Sequence, residues 1–361
     1  MERATARRDL CDHSTLAVPS RPGRGGSEPI PCNMSPEPTP SRPRVLVARA
    51  AFPDILEQLR SVAEVELTAD DHIDTPQQLR GRLRDKHGAF ITNSERIDVE
   101  LLDACPLLRV LSTMTVGVDH IDVAACAARG VVVTHAPDVL TETTADFGFA
   151  LLLAAARQLG GAQDFLRAGQ WKKWRYDLFA GSDVHGTTLG IVGMGRIGQA
   201  IARRAAHGFG MAVLYHNRTR VAPAIELEYR AAWRSLPELL RQSDHVLLAL
   251  PYSASAHHLI GAAELAQMRP GATLVNIARG GVVDERALAA ALHSGALGAA
   301  GLDVFEGEPA VDRLLLEAPR LVATPHIASA SLPTRRAMVQ LAVDNLCAVL
   351  RGEPALTPVR A

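Results

Sequence analysis

Arg279, Glu308 and His326 combine the residue types of a proton-transfer and anion-binding site within one stretch of chain. Each stands just past a short apolar run that reads as a β-strand. Arg279 closes ATLVNIARGG (272–281), Glu308 comes at the end of GAAGLDVFEGEP (298–309), and His326 falls in LVATPHIAS (321–329). An open parallel sheet gathers its chemistry at the carboxyl ends of its strands. A guanidinium, a carboxylate and an imidazole brought together there suit the reduction of a charged 2-oxo acid.

A hydride source for such a reduction is written upstream, in TLGIVGMGRIGQAIARRAAHGFG (188–210). Gly193, Gly195 and Gly198 form G-x-G-x-x-G between an apolar strand and an amphipathic helix. The first glycine permits the tight turn, the second lets backbone approach a pyrophosphate, and the third lets helix and strand pack closely. The strand–turn–helix setting marks a dinucleotide site, where the glycines alone would not. After the next strand, MAVLY (211–215), an NAD site places an acid on the ribose 2′-hydroxyl. Here the residues are His216, Asn217, Arg218, Thr219 and Arg220. Arginine pairs with a 2′-phosphate and Asn217 and Thr219 can donate hydrogen bonds to it, so NADP(H) is the expected preference, with NAD(H) as the alternative.

The elements that must position these groups follow a regular alternation. Residues 45–48, 65–67, 87–92, 109–113 and 130–137 read as strands, and 53–63 and 98–105 as helices. That alternation predicts a doubly wound parallel sheet. Thr143 and Asp146 resemble a capping box for a helix over 147–159 that is apolar nearly all round, hence buried. Residues 160–181 interrupt the rhythm, and Trp171 and Trp174 within them suggest contact area in an arm. A second alternation begins at 187–192 and runs to Pro325. A last helix, 333–352, opens at Pro333 and stops at Gly352; its Met338, Leu341, Ala342 and Asn345 share a face, and it can return to the first unit. The organisation expected is a disordered extension over 1–42, one domain of 43–140 with 331–361, and a dinucleotide domain of 141–330.

The bulk composition excludes several classes of function. Of 361 residues, 47% are hydrophobic and 21% charged, with a net charge of −1, which gives no electrostatic footprint for nucleic acid or an anionic membrane surface. Five scattered cysteines without a C-x-x-C pair argue against a disulfide framework or a zinc site and for a reducing compartment. No apolar run approaches a bilayer span. Residues 1–42 carry Arg3, Arg7, Arg8, Arg21 and Arg24, but also Glu2, Asp9, Asp12 and Glu28, a poor composition for a mitochondrial presequence. A cytoplasmic location is expected.

The chain resembles the D-isomer-specific 2-hydroxyacid dehydrogenase family, and within it the glyoxylate/hydroxypyruvate reductases. The resemblance spans roughly 44–361 and rests on STMTVGVDHID (112–122), PDVLTETTAD (137–146), GIVGMGRIGQAIA (190–202), NIARGGVVDERAL (276–288), GLDVFEGEP (301–309), TPHIASAS (324–331) and LRGEP (350–354). It implies two Rossmann-like domains with the active site in the cleft between them, and a homodimer. By that resemblance Arg279 binds the substrate carboxylate and carbonyl oxygen, His326 is the general acid, and Glu308, before proline, orients it in preference to Glu306. Val116 and Gly117 match the loop whose amides hold the substrate carboxylate. Asp303 matches the acid beside the nicotinamide carboxamide, and Gly195, Arg196 and Ile197 the pyrophosphate turn. Leu250, Ile277 and Ser329 complete the implied cofactor shell, and Trp174 matches a residue that shapes the neighbouring subunit's pocket.

Bland readings compete at other positions. Asp119, His120 and Asp122 read as turn and helix-cap chemistry. His257 and His258 read as a solvated loop pair without metal-ligand partners at helical spacing, and no metal is expected. The chain departs from the family at Ala328, where glycine is frequent, and at PYSASAHHLI (251–260), which lacks the usual threonines. The function implied is NADPH-dependent reduction of glyoxylate and hydroxypyruvate. The alternatives are an NAD-dependent D-2-hydroxyacid dehydrogenase of another substrate, which the missing acid at 216–217 disfavours, and a dinucleotide-sensing corepressor-like scaffold.

Overall fold

The computed structural model describes residues 42–68 and 70–360, whose strands form two separate sheets, parallel throughout. In the first, β1 (Arg44–Val47), β2 (Glu64–Leu67), β3 (Gly88–Ile91), β4 (Val110–Thr113) and β5 (Val132–Thr134) alternate with helices α1 (Pro53–Val62), α2 (Pro76–Leu83), α3 (Val99–Ala104) and α4 (Val123–Ala128). The order across it is β2-β1-β3-β4-β5. Its inner strands are apolar without alternation because helices cover both faces, and Val45, Leu46, Phe90, Ile91, Val110 and Leu111 are all buried. The expected strands coincide with β1–β5. The extension expected over 1–42 lies, but for Arg42, outside the described residues.

The second sheet holds β6 (Thr188–Val192), β7 (Ala212–His216), β8 (Ala231–Trp233), β9 (His245–Leu248), β10 (Thr273–Asn276), β11 (Ala299–Leu302) and β12 (Leu321–Ala323), in the order β12-β11-β10-β9-β6-β7-β8. The chain leaves β6 in one direction through β7 and β8, then returns to lay β9 on the opposite side. That reversal opens a crevice beyond the carboxyl ends of β6 and β9. α5 (Thr141–Ala156) and α6 (Leu159–Arg167) precede the sheet. Its crossovers are α7 (Arg196–Arg203), α8 (Pro223–Glu228), α9 (Leu236–Gln242), α10 (Ala262–Leu265), α11 (Glu285–Ser294) and α12 (Arg313–Leu316). α5 packs on α7, β10 and β11.

α13 (Leu332–Leu350) packs on α1, β3 and β4, so the last helix covers the first sheet. Ser331 caps it by accepting from the Thr334 amide, and Gly352 follows its end at φ +81°. Met338, Ala342 and Asn345 are buried as one face, but Val339, Val343, Leu346 and Cys347 are buried too, so the covered stripe is wider than the sequence pattern suggested. Asn345 is fully buried with both amide atoms engaged. It accepts from the Leu356 and Thr357 amides and donates to Leu341 O and Thr357 Oγ1, tying the C-terminal tail beside β5.

Two expectations need correction. The capping box at Thr143 and Asp146 does not form: the helix begins earlier, at Thr141. The Thr143 hydroxyl instead meets Thr334 Oγ1 at 2.6 Å, and Asp146 pairs with Arg204, so both side chains are drawn to tertiary partners. The helix expected to run to 159 ends at Ala156, Gln158 takes a left-handed φ of +52°, and α6 begins at Leu159 and runs through the first part of the supposed interruption. Gly160 and Gly161 mask that helix in the sequence, since glycine weighs against helix. No helix among the described residues is long and apolar enough to cross a membrane. Cys105, Cys126 and Cys347 are free and buried.

Candidate active site

The chemistry-bearing residues stand beyond the carboxyl ends of strands: Arg279 after β10, Glu308 after β11, His326 after β12, the glycine turn after β6, and Val116 and Gly117 after β4. His326 adopts φ +53°, a strained setting for a residue with a side chain, held by its amide on Asp303 O at 2.8 Å. The fully buried Asp303 secures the same turn. One of its oxygens accepts from Thr324 Oγ1 (2.7 Å) and the Ile327 amide (2.8 Å), the other from the Ala328 amide (2.8 Å). Burial nevertheless raises the Asp303 carboxyl above the usual range. Asp303 is thus the anchor of the histidine turn, with one lone pair left for anything else.

His326 Nδ1 lies 2.8 Å from Glu308 Oε2, which leaves Nε2 facing away from the carboxylate. The other Glu308 oxygen accepts from the Phe305 amide at 2.8 Å. Burial raises the Glu308 carboxyl, and His326 and Arg279 more than reverse that, so it sits below the usual glutamate range. Glu306 points elsewhere, to His258 Nε2 at 2.9 Å. Its amide donates to the buried Glu285 at 2.6 Å, which fixes the loop that carries Glu308. Gly280 is packed on that loop so closely that a methyl there would overlap the Phe305–Glu306 backbone, so the segment holding Arg279 and the segment holding Glu308 are mutually located. A cavity of about 270 Å³ lies beside the pair, lined in part by Phe305, Pro309, Val311 and Leu316.

Arg279 reaches from the second sheet to the first. Its Nε donates to Asp119 Oδ1 at 3.1 Å, its Nη2 lies 3.0 Å from the same oxygen, and its Nη1 donates to Ala278 O at 2.8 Å. A methyl on Gly117 would overlap Arg279 Nη2, so the guanidinium is seated against the Gly117 backbone. Among the described residues neither the Val116 nor the Gly117 amide has an acceptor, leaving two donors beside the guanidinium. Asp119 was missed as a site residue. The cap reading suits its neighbour Asp122, which accepts from the Ala125 amide at the start of α4, whereas Asp119 faces an arginine that no local pattern could supply. Among the described residues neither ring nitrogen of the half-buried His120 has a partner, and burial drives it down to about 4, so it is neutral near pH 7.

The glycine turn has the geometry its spacing demands. Gly193 sits at φ +102°, and a methyl there would lie 2.6 Å from Ala249 O. A methyl on Gly198 would overlap Gly193 O, whereas one on Gly195 would meet open space at the start of α7. That exposed backbone at a helix N-terminus fits a pyrophosphate. Asn217 accepts from the Met194 amide at 2.7 Å, so its carbonyl braces the turn and only its NH₂ remains for a ligand. Arg196 pairs with Asp138 at 2.7 Å. Arg220 does not stand free beside the ribose position: Glu226, on α8, holds it at 3.0 Å. Reading only 216–220 for an acid overlooked this one. Arg218 and Thr219 are exposed. The Ile277 side chain is buried in the core beside α5, so only its backbone can reach a cofactor; Leu250 and Ser329 are half-exposed.

Trp174 is 78% exposed and Tyr176 86%, with Trp171 also exposed, so the arm is not packed against the other described residues. His257 and His258 are exposed as expected, but Glu306 joins them, which sequence spacing did not foresee. The two rings stack at 3.9 Å and 20°, and ring lone pairs lie in the ring planes, so the pair does not converge on one ion as arranged.

A parallel sheet with its glycine turn at the reversal of strand order, and with a histidine–carboxylate pair and an arginine beyond the ends of other strands of the same sheet, is the arrangement of a dinucleotide-dependent oxidoreductase. The sequence signature of "D-isomer specific 2-hydroxyacid dehydrogenase, NAD binding domain" matches residues 149–328. A glyoxylate reductase of Thermococcus gammatolerans is 45% identical over 316 residues, covering 86% of this chain and 94% of that protein. A glyoxylate/hydroxypyruvate reductase B of Klebsiella pneumoniae is 45% identical over 312 residues, covering 86% and 96%. The crystal structure of an NADPH-dependent glyoxylate/hydroxypyruvate reductase from Sinorhizobium meliloti, in complex with NADP and malonate, superposes with a TM-score of 0.77 at 39% identity, covering 88% of this chain and 97% of that one. The chain belongs to the D-isomer-specific 2-hydroxyacid dehydrogenase family and is an NAD(P)-dependent enzyme of that class.

Proposed function

We propose that the protein reduces glyoxylate to glycolate and hydroxypyruvate to D-glycerate, with NADPH as the preferred reductant. The observation that carries this reading is the His326–Glu308 pair at 2.8 Å beside an arginine seated on Gly117, in a chain whose relatives bear those substrate names. Bound nicotinamide supplies the hydride for C2. Arg279 and the Val116 and Gly117 amides bind the substrate carboxylate and its neighbouring carbonyl oxygen. Glu308 engages the Nδ1 side of His326 and so keeps the Nε2 proton aimed at the carbonyl oxygen, where it is delivered as C2 gains its hydrogen. Glycolate or D-glycerate leaves with one hydride and one proton added.

In this reading residues 43–140 and 331–361 form the substrate-binding domain and 141–330 the dinucleotide-binding domain. Gly193, Gly195, Arg196, Ile197 and Gly198 cradle the pyrophosphate, with Leu250, Ile277, Asp303 and Ser329 around the nicotinamide half. Arg218, with Thr219 and the Asn217 NH₂, receives the 2′-phosphate, since Arg220 is committed to Glu226. The exposed Trp171, Trp174 and Tyr176 fit a homodimer in which Trp174 borders the other subunit's pocket. The direct test is steady-state oxidation of NADPH with glyoxylate and with hydroxypyruvate, followed by chiral analysis of the glycerate. Turnover giving the D isomer is expected; absence of turnover with both acids would end this reading.

A further inference from the structure

We propose that Asp119 is a positioning residue for Arg279, holding one edge of the guanidinium so that its other edge faces the substrate; the proposal rests on the functional reading above. The two side chains are 160 positions apart in sequence and come from loops of different sheets. Asp119 Oδ1 accepts from Nε at 3.1 Å and Oδ2 from the same Nε at 3.3 Å, while Nη2 lies 3.0 Å from Oδ1 as an ion pair. These contacts face the Nε side of the planar group, and Ala278 O takes one hydrogen of Nη1. Three N–H groups remain, one on Nη1 and two on Nη2, and the outer one of each nitrogen lies side by side at the end of the fork. That is the pair able to grip a carboxylate or a carbonyl oxygen in two-point fashion.

The direction of that free end is set by the same contact. Nη2, held by Asp119, is the atom that lies where a Gly117 methyl would be, next to the unbonded amides of Val116 and Gly117. Without Asp119 the guanidinium keeps a single hydrogen bond, to its own chain neighbour, and is free to rotate out of the plane that faces those amides. The arginine in turn keeps the carboxylate ionised. Burial raises Asp119, and Arg279 more than offsets this to leave it below the usual aspartate range. It therefore stays charged across the neutral range while it holds the arginine.

The test compares Asp119→Ala and Asp119→Asn with the parent protein by steady-state kinetics on glyoxylate and hydroxypyruvate, with thermal unfolding alongside. Loss of orientation should lower kcat/KM of Asp119→Ala by about 100-fold, mostly through a raised KM for the 2-oxo acid, with KM for NADPH unchanged. Asparagine keeps an acceptor oxygen for Nε, so Asp119→Asn should recover to within about tenfold of the parent. In an Arg279→Ala background, Asp119→Ala should add no further loss. Parent-like kinetics for Asp119→Ala, equal impairment of both variants, or a full extra loss in the Arg279→Ala background would each overturn the proposal. If Asp119→Ala does not fold, Asp119→Glu replaces it: the charge is kept but displaced, so a raised KM supports positioning and parent kinetics refute it. Parent turnover is measured first. If the parent reduces neither acid, the functional reading fails and takes this proposal with it; parent turnover with an unaffected Asp119→Ala fails the proposal alone.

Discussion

Two histidines stand near the arginine, and their surroundings separate them. His326 has Glu308 on Nδ1, whereas His120 has no partner on either nitrogen among the described residues and is held neutral by burial, down to about 4. Below its ordinary value near ~6.5 the unfolded chain takes up a proton at His120 that the folded chain refuses until about 4. The stability tied to this residue is therefore intact above pH ~6.5 and lost as pH falls toward the folded value. His120→Leu should flatten the fall in melting temperature between pH 7 and pH 4.5, and calorimetry across that range checks it; an unchanged slope would refute it. In the proposed reading cofactor choice also rests on single residues. With Arg220 occupied by Glu226, Arg218→Asp should raise KM for NADPH by about 30-fold through loss of a charge-assisted contact, with KM for NADH little changed. Equal losses with both cofactors would defeat the 2′-phosphate assignment.

Among the elements, the β6–α7 turn is the most tightly specified. Its first and third glycines are demanded by contacts, Gly193 by the backbone of Ala249 and Gly198 by Gly193 itself, while the second faces open space. Gly198→Ala puts a methyl into backbone that cannot yield, so α7 must shift off β6. A loss of about 1–3 kcal/mol in unfolding free energy is expected, together with weaker NADPH binding in a fluorescence titration. Gly195→Ala meets no protein atom, so it should retain parent stability while weakening cofactor binding. Comparable stability losses in the two variants would contradict this division of roles. The β11–β12 end is specified differently, by Asp303 hydrogen-bonded to the turn that carries His326.

For the whole molecule, the arm after α6 bears on assembly. Trp171, Trp174 and Tyr176 expose large aromatic surface within the single chain, a costly arrangement unless another surface covers it. A homodimer is expected by light scattering. Trp171→Ser with Trp174→Ser should shift it toward monomer and reduce turnover, if Trp174 borders the partner's pocket. A parent that is monomeric at micromolar concentration would rule this assembly out.

Much of the candidate site was legible because its determinants are local. Apolar runs marked the strands, and chemistry falls just past strand ends in a parallel sheet, so Arg279, Glu308, His326 and the glycine turn are found without knowing how the sheets are ordered. Elements whose formation depends on tertiary partners were less legible: α6 opens on two glycines, and α5 begins where Thr143 and Asp146 are taken up by Thr334 and Arg204 rather than by a cap. Partner choice among charged side chains was not legible at all. Asp119 meets Arg279 and Glu226 meets Arg220 because strand order and loop path bring them within hydrogen-bond reach. The sequence by itself determined which chemical groups stand at the strand ends, since that follows from short-range pattern. Only the tertiary structure decided which of them touch, since an ion pair forms through space, between groups that the chain alone leaves far apart.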